Sequence, residues 1–322
     1  LRCEAIVKVI IPGGSGQVGQ ILARDFCARG WDVIVLSRRG ASRASDRSGR
    51  VIGWDGKSAG GWCDEIDGSD IVINLAGRSV NCRYNQANRR EIIDSRVEST
   101  KAITAAIRDA GNPPPLLLQA STATIYAHRY DAGNDDIDGI IGGDEPNVPD
   151  TWRFSIDVAK AWEAAATAID LPSTRTVLLR SAITLSPDRG SVFEVLLRLV
   201  RFALGGTNGD GRQYVSWIHD ADFVAAIDWL IEHQDLEGPI NLSSPNPVPN
   251  REFMRTLREC WGQRIGLPAT RWMLEIGARL LQTETELILK SRRVIPARLL
   301  QSGFVFKFAD WKSAAADLCC RY

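Results

Sequence analysis

Apolar residues cluster in short, regularly spaced runs along the first 180 positions, and the intervening stretches repeat them at helical intervals. Residues 5–11 (AIVKVII) predict a strand that ends at Pro12-Gly13-Gly14. Val18, Ile21, Leu22 and Phe26 then fall on one face of a helix over 17–29. Further strands are predicted at 31–36, near 50–53, at 70–75, 116–120 and 174–179. Most are apolar almost throughout, as strands covered on both faces must be. Between them, Ile92, Ile93, Val97, Ile103 and Ile107 predict a helix over 85–110, stopped by Gly111-Asn112 and three prolines, and 152–169 predicts another. This alternation implies an α/β fold built on a doubly wound parallel sheet.

Beyond residue 180 the pattern is mixed, with helices predicted at 193–203 and 220–231, strands near 213–218 and 239–242, and helical segments to the end. We therefore place the doubly wound domain at 5–180, with 213–242 returning to it. A smaller, mostly helical lobe takes 181–212 and 243–322. Residues 128–150 carry seven acidic side chains (Asp131, Asp135, Asp136, Asp138, Asp144, Glu145 and Asp150) and predict a long surface loop, either a cover over a site or solvated decoration.

Composition narrows the partners. The 322 residues hold 39 basic and 39 acidic side chains, which gives no global field for nucleic acid or an anionic membrane. Seven scattered cysteines without a Cys-x-x-Cys pair read as free thiols of a reducing, cytoplasmic setting. The three histidines, His128, His219 and His233, show no metal-ligand spacing, so no metal site is expected.

Gly13-x-x-Gly16-x-x-Gly19 lies between the first strand and the first helix. Glycines there permit a tight turn and close approach to a pyrophosphate, and the helix N-terminus offers N–H groups to the phosphates. Gly13, Ser15, Gly16, Gln17, Val18 and Gly19 are the candidate contacts. After the second strand an NAD site carries Asp or Glu for the ribose hydroxyl, whereas this chain carries Ser37-Arg38-Arg39. Guanidinium groups suit a 2′-phosphate, so NADP(H) is the expected cofactor.

With Asn74-Leu75-Ala76-Gly77 after the fourth strand and Ser121-Thr122-Ala123-Thr124-Ile125-Tyr126 after the fifth, the chain resembles the extended short-chain dehydrogenase/reductases of the NAD-dependent epimerase/dehydratase superfamily. The stretches EIIDSRVEST (91–100), GRQYVSWIH (211–219), NLSSPNP (241–247) and SRRVIPARLL (291–300) resemble one subfamily, the epimerase family proteins, also described as cell-division inhibitors. It ends in a short domain of unknown function, here at about 267–316. The resemblance implies a Rossmann-like fold binding NADP(H) through Ser37, Arg38, Arg39, Asn74, Leu75, Ala76 and Gly77, with Glu91 and Arg96 from the following helix.

It also places Thr122 where the superfamily carries a catalytic Ser or Thr. The superfamily's Tyr-x-x-x-Lys is missing: Lys160, on the expected helix, has Ile156 four residues before it, and Lys290 has Glu286. Lys160 remains a candidate for the nicotinamide ribose. Tyr126, Tyr130 and His128 are candidate replacement proton donors; Arg212, Arg292, Arg293 and Arg298 read as exposed arginines unless an anionic substrate group meets them. The expected activity is an NADP(H)-dependent oxidoreductase or epimerase acting on a small substrate. The alternatives are a dinucleotide-binding regulator with little turnover and a nucleotide-sugar epimerase.

Overall fold

The computed structural model describes residues 6–38, 40, 49–270, 272–274 and 284–322. Seven parallel strands form the main sheet: β1 (Lys8–Pro12), β2 (Asp32–Ser37), β3 (Arg50–Gly53), β4 (Ile71–Asn74), β5 (Leu116–Thr122), β6 (Arg175–Ser181) and β10 (Gly238–Leu242). Their spatial order is β10-β6-β5-β4-β1-β2-β3. The winding reverses between β1 and β4, the switch point at which open α/β sheets receive ligands beyond the strand C-termini.

Alternate residues of each strand serve opposite faces. Val9, Ile11, Val33, Val35, Ile71 and Ile73 pack with α1 (Gln17–Ala28) and α6 (Asp220–Glu232), which contribute Leu22, Phe26, Phe223 and Ile227. Ile10, Ile34, Leu36, Val72 and Leu117 face the other way, toward Ile66 of α2 (Cys63–Ile66) and Ile103 and Ile107 of α3 (Gln86–Asp109). The predicted run of nearly all-apolar strands is therefore the two-sided burial of a Rossmann-like sheet.

A second core joins β7 (Ile183–Leu185), α5 (Val192–Arg201), β9 (Trp217–His219), α7 (Asn250–Trp261) and α10 (Trp311–Arg321) around Phe193, Leu197, Trp217, Phe253 and Trp311. The strand predicted near 213–218 is two short strands, β8 (Tyr214–Val215) and β9, each paired outside the main sheet. The break falls at Ser216, whose buried hydroxyl donates to the Arg292 carbonyl at 2.8 Å and accepts from Val294 N at 2.9 Å. α6 packs on the main sheet and β10 completes its edge. Beyond α8 (Glu286–Leu289), Leu299 of α9 (Ala297–Gln301) and then Phe304 and Phe306 enter the main-sheet core as well.

The acidic stretch is pinned rather than free-standing. Asp136 is buried and accepts from Asn241 N at 2.7 Å and Arg298 N at 3.0 Å. Asn134 exchanges backbone hydrogen bonds with Arg293 and Ile295. Among the described residues no helix is long and apolar enough to cross a membrane.

Candidate functional site

The glycine turn is shaped by contacts that no side chain could share. Gly13 has φ +76°, and a Cβ there would stand 2.7 Å from Ala76 N. A Cβ on Gly19 would stand 2.4 Å from Gly14 Cα, so the first turn of α1 presses directly on the turn before it. Gly16 is the residue before α1, and its Cβ would lie 3.3 Å from the Gly13 carbonyl. Such a cradle brings the helix N-terminus and its free N–H groups to the crevice beside β4, a fit for a pyrophosphate. Ser37 Oγ donates to Ser15 Oγ at 3.0 Å and joins the end of β2 to the turn. Gln17 Nε2 donates to Ser186 Oγ at 3.2 Å, tying the turn to the segment after β7. Val18 packs against the main core. Arg38 is exposed beside the loop after β3, where a Cβ on Gly56 would be 4.0 Å from its Cδ. Arg39 lies outside the described residues.

Asn74 is fully buried and bends the next residues. Its Oδ1 accepts from Ala76 N at 3.1 Å and its Nδ2 donates to Gln119 Oε1 at 2.9 Å. Leu75 N donates to the Pro12 carbonyl, so the 74–77 turn lies over the end of β1. A Cβ on Gly77 would come 3.3 Å from the Arg96 guanidinium carbon. Arg96 stacks over Trp162 at 4.9 Å and donates to the Ile92 carbonyl. Burial lowers its pKa to about 10, and no ion pair holds it among the described residues. It is a cation suited to an anionic group in the crevice. Glu91 turns outward to Arg78 at 2.9 Å.

The end of β5 carries Thr122, half-buried, whose Oγ1 accepts from Thr124 N at 3.2 Å and caps the 3₁₀ turn Ala123–Ile125. Tyr126 is 2% exposed. Its hydroxyl donates to Asn241 Oδ1 at 2.9 Å and accepts from Arg180 Nη1 at 3.0 Å, while Arg180 forks onto Glu163. Burial raises the phenol pKa further. On α4 (Asp150–Ala166), Ile156 is 1% exposed beneath the loop, where a Cβ on Gly142 would be 2.9 Å from its Cδ1. A Cβ on Gly143 would be 3.4 Å from Lys160 Nζ, so the acidic loop covers the face of α4 that carries both residues.

A polar group that the sequence reading missed lies against the same turn. Lys290 Nζ donates to the Thr124 carbonyl at 2.7 Å, and Arg292 Nε donates to Thr124 Oγ1 at 3.2 Å. Glu286 pairs with Arg292 at 2.8 Å and accepts from Ser155 Oγ at 2.9 Å. The expectation of an exposed Arg292 is corrected: its side chain is 11% exposed, because Glu286 and Thr124 replace its hydration. Burial, with the Arg292 charge second, pushes Lys290 down to about 7. The available signal was the four-residue spacing of Glu286 and Lys290, an ordinary surface-helix pattern. His128 stays half-buried, accepting from Ser291 N at 2.8 Å and tilted on Trp152, and burial lowers its pKa. Tyr130 is exposed beneath the Arg212 guanidinium, and Arg293 stacks over Tyr214.

Comparison with known proteins bears on the fold and the family. Residues 9–243 match the NAD dependent epimerase/dehydratase family, and 269–318 match a domain of unknown function, DUF1731. The chain is 31% identical over 301 residues to an epimerase family protein of Mycobacterium leprae, covering 92% of this chain and 91% of that one. It is 28% identical over 312 residues to the epimerase family protein YfhF of Bacillus subtilis, covering 97% and 98%. A crystal structure of the human epimerase family protein SDR39U1 with NADPH superimposes with a TM-score of 0.81 at 26% identity, over 98% of this chain and 100% of that one. By its family match, its sheet order and its glycine turn, the chain belongs to the NAD dependent epimerase/dehydratase family.

Proposed function

We propose that this protein is an NADP(H)-dependent oxidoreductase or epimerase of the extended short-chain type, acting on a small substrate held between the end of β5 and the segment 284–295. The observation that carries the cofactor choice is the end of β2: Ser37 bonds to Ser15 of the glycine turn, and the next residue is an exposed arginine where an NAD site has a carboxylate. The NADPH in the related human structure supports the same choice.

In this reading Gly13, Ser15, Gly16, Gln17 and Gly19 cradle the pyrophosphate, and Val18 seats the helix. Ser37 and Arg38 take the ribose 2′-phosphate, with Arg39 beside them in sequence. The 74–77 turn bounds the nicotinamide side and Arg96 faces an anionic group beyond Gly77, while Glu91 holds Arg78. The bound nicotinamide supplies or accepts the hydride. Thr122 orients the reacting oxygen and Lys160 reaches toward the cofactor ribose. Tyr126, with both hydrogen bonds committed inside the protein, serves as an anchor. Scattered cysteines favour a cytoplasmic setting.

A second reading, an NADP(H)-binding regulator with little turnover, is favoured by Ile156, which leaves α4 without a phenol at the crevice. Fluorescence titration with NADPH and NADH, followed by a panel of carbonyl compounds watched for cofactor oxidation, separates the two. Tight NADPH binding with oxidation supports the enzyme. Binding without oxidation supports the regulator, and no binding of either cofactor removes both.

A further inference from the structure

Two apolar surfaces on this chain face solvent, one flanked by exposed arginines and the other by exposed carboxylates. α5 buries Phe193, Leu197 and Val200, yet its other face shows Val195 (56% exposed), Leu199 and Phe202 (71% exposed), followed by Leu204. Arg198 and Arg201 are exposed on the same helix, Arg198 in an i,i+4 pair with Glu194 at 3.3 Å and Arg201 over the Trp261 ring at 5.9 Å. Contiguous exposed apolar side chains of this kind mark association sites.

The second surface is the acidic loop. Ile137, Ile140 and Ile141 are all exposed within five residues, beside the exposed Asp138 and Asp144. The loop is built to hold them outward: Asp135 accepts from Ile137 N and Asp138 N at 2.9 Å each, and Asn134 Oδ1 accepts from Ile140 N at 3.1 Å. Neither Asp138 nor Asp144 forms an ion pair among the described residues.

We propose that the 137–144 loop of one copy of this chain docks on the α5 face of a second copy, isoleucines against Val195, Leu199 and Phe202, carboxylates against Arg198 and Arg201. Charge complementarity selects this occupant, since each copy carries both halves of the contact, and the balanced net charge puts no overall repulsion between copies. A contact between two different patches closes into a dimer when reciprocal, and when successive it makes rings or open filaments according to whether the rotation closes. An anionic lipid surface fits less well, because the acidic loop would be repelled by it.

The test is sedimentation of the full chain across a concentration series at low salt. The wild type is expected to gain mass with concentration. Arg198→Glu/Arg201→Glu and Asp138→Arg/Asp144→Arg, each alone, are expected to associate at least about tenfold more weakly, and their equimolar mixture to recover association. Phe202→Ser, which leaves the charges in place, should weaken association at low and high salt alike. All substituted positions are exposed, and unchanged melting curves establish that the variants fold. Equal mass for the wild type and both charge variants at every concentration overturns the proposal. Wild-type association that both charge variants retain overturns it as well. Flotation of the wild type, but not the arginine variant, with phosphatidylserine vesicles in the absence of self-association assigns the α5 face to lipid instead.

Discussion

Lys290 holds the Thr124 carbonyl oxygen at 2.7 Å, joining a lysine that is 2% exposed to the turn that leaves the central strand β5. The contact spans 166 positions of sequence and places an ionisable amine two residues from Thr122. Its surroundings are mixed: Arg292 repels the charged form, while Glu286 and Glu145 favour it, and burial outweighs them.

That imbalance makes stability depend on pH. The unfolded chain keeps this lysine protonated up to its ordinary 10.5, whereas the folded chain releases the proton near 7. Between those values the unfolded state binds more protons, so stability rises with pH; below about 7 the full cost of the buried charge is present. At about 1.4 kcal/mol per unit, raising the pH from 7 to 9 relieves roughly 2 kcal/mol. Lys290→Met should therefore raise the melting temperature relative to wild type more at pH 6 than at pH 9. Equal differences at both would show that Lys290 is not neutralised by burial.

Arg38→Ala should weaken NADPH binding by about 10- to 100-fold, the worth of a charge-assisted hydrogen bond to phosphate, and leave NADH binding nearly unchanged. Parallel fluorescence titrations read both constants. Equal losses would mean that Arg38 does not discriminate the 2′-phosphate.

Gly13→Ala places a methyl group 2.7 Å from Ala76 N at a positive φ, and the turn must move. We expect a loss of about 1–3 kcal/mol in stability and a larger proportional loss of cofactor affinity. Gly61, where an added Cβ would meet nothing within 4 Å, provides the contrast. Gly61→Ala should stay within about 0.5 kcal/mol of wild type in denaturant titrations.

Tyr126→Phe tests the anchor against the proton donor. Removing the hydroxyl leaves Asn241 Oδ1 without its donor in a buried site, at a cost of about 1–3 kcal/mol. Cofactor affinity and any turnover should survive. A hundredfold fall in kcat with unchanged stability would instead make Tyr126 the acid.

The sheet was legible because two-sided burial leaves a local trace: Val9 to Ile11, Val33 to Leu36 and Ile71 to Ile73 are apolar at every position. The glycine turn was legible for a similar reason, as Gly13 and Gly19 answer contacts imposed by the turn's own geometry. The polar group on Thr124 was not. Glu286 and Lys290 sit one helical turn apart, the spacing of a solvated pair, and only the tertiary fold turns them inward. The sequence showed that Ile156 replaces a phenol, but its cover by Gly142 depends on where a long acidic loop comes to rest. The loop's acidic composition suits a cover and a solvated loop equally, and buried Asp136, bonded to Asn241 N and Arg298 N, explains why it is fixed in place.

Phe304 and Phe306 fill the same core as Val9 and Ile11, almost three hundred residues earlier in the chain. During synthesis the first strands must therefore wait, with one apolar face incompletely covered, until these phenylalanines have left the ribosome. The nascent chain is most exposed to aggregation in that interval, and its demand on holding chaperones should follow the rate at which the stretch up to Phe306 is translated.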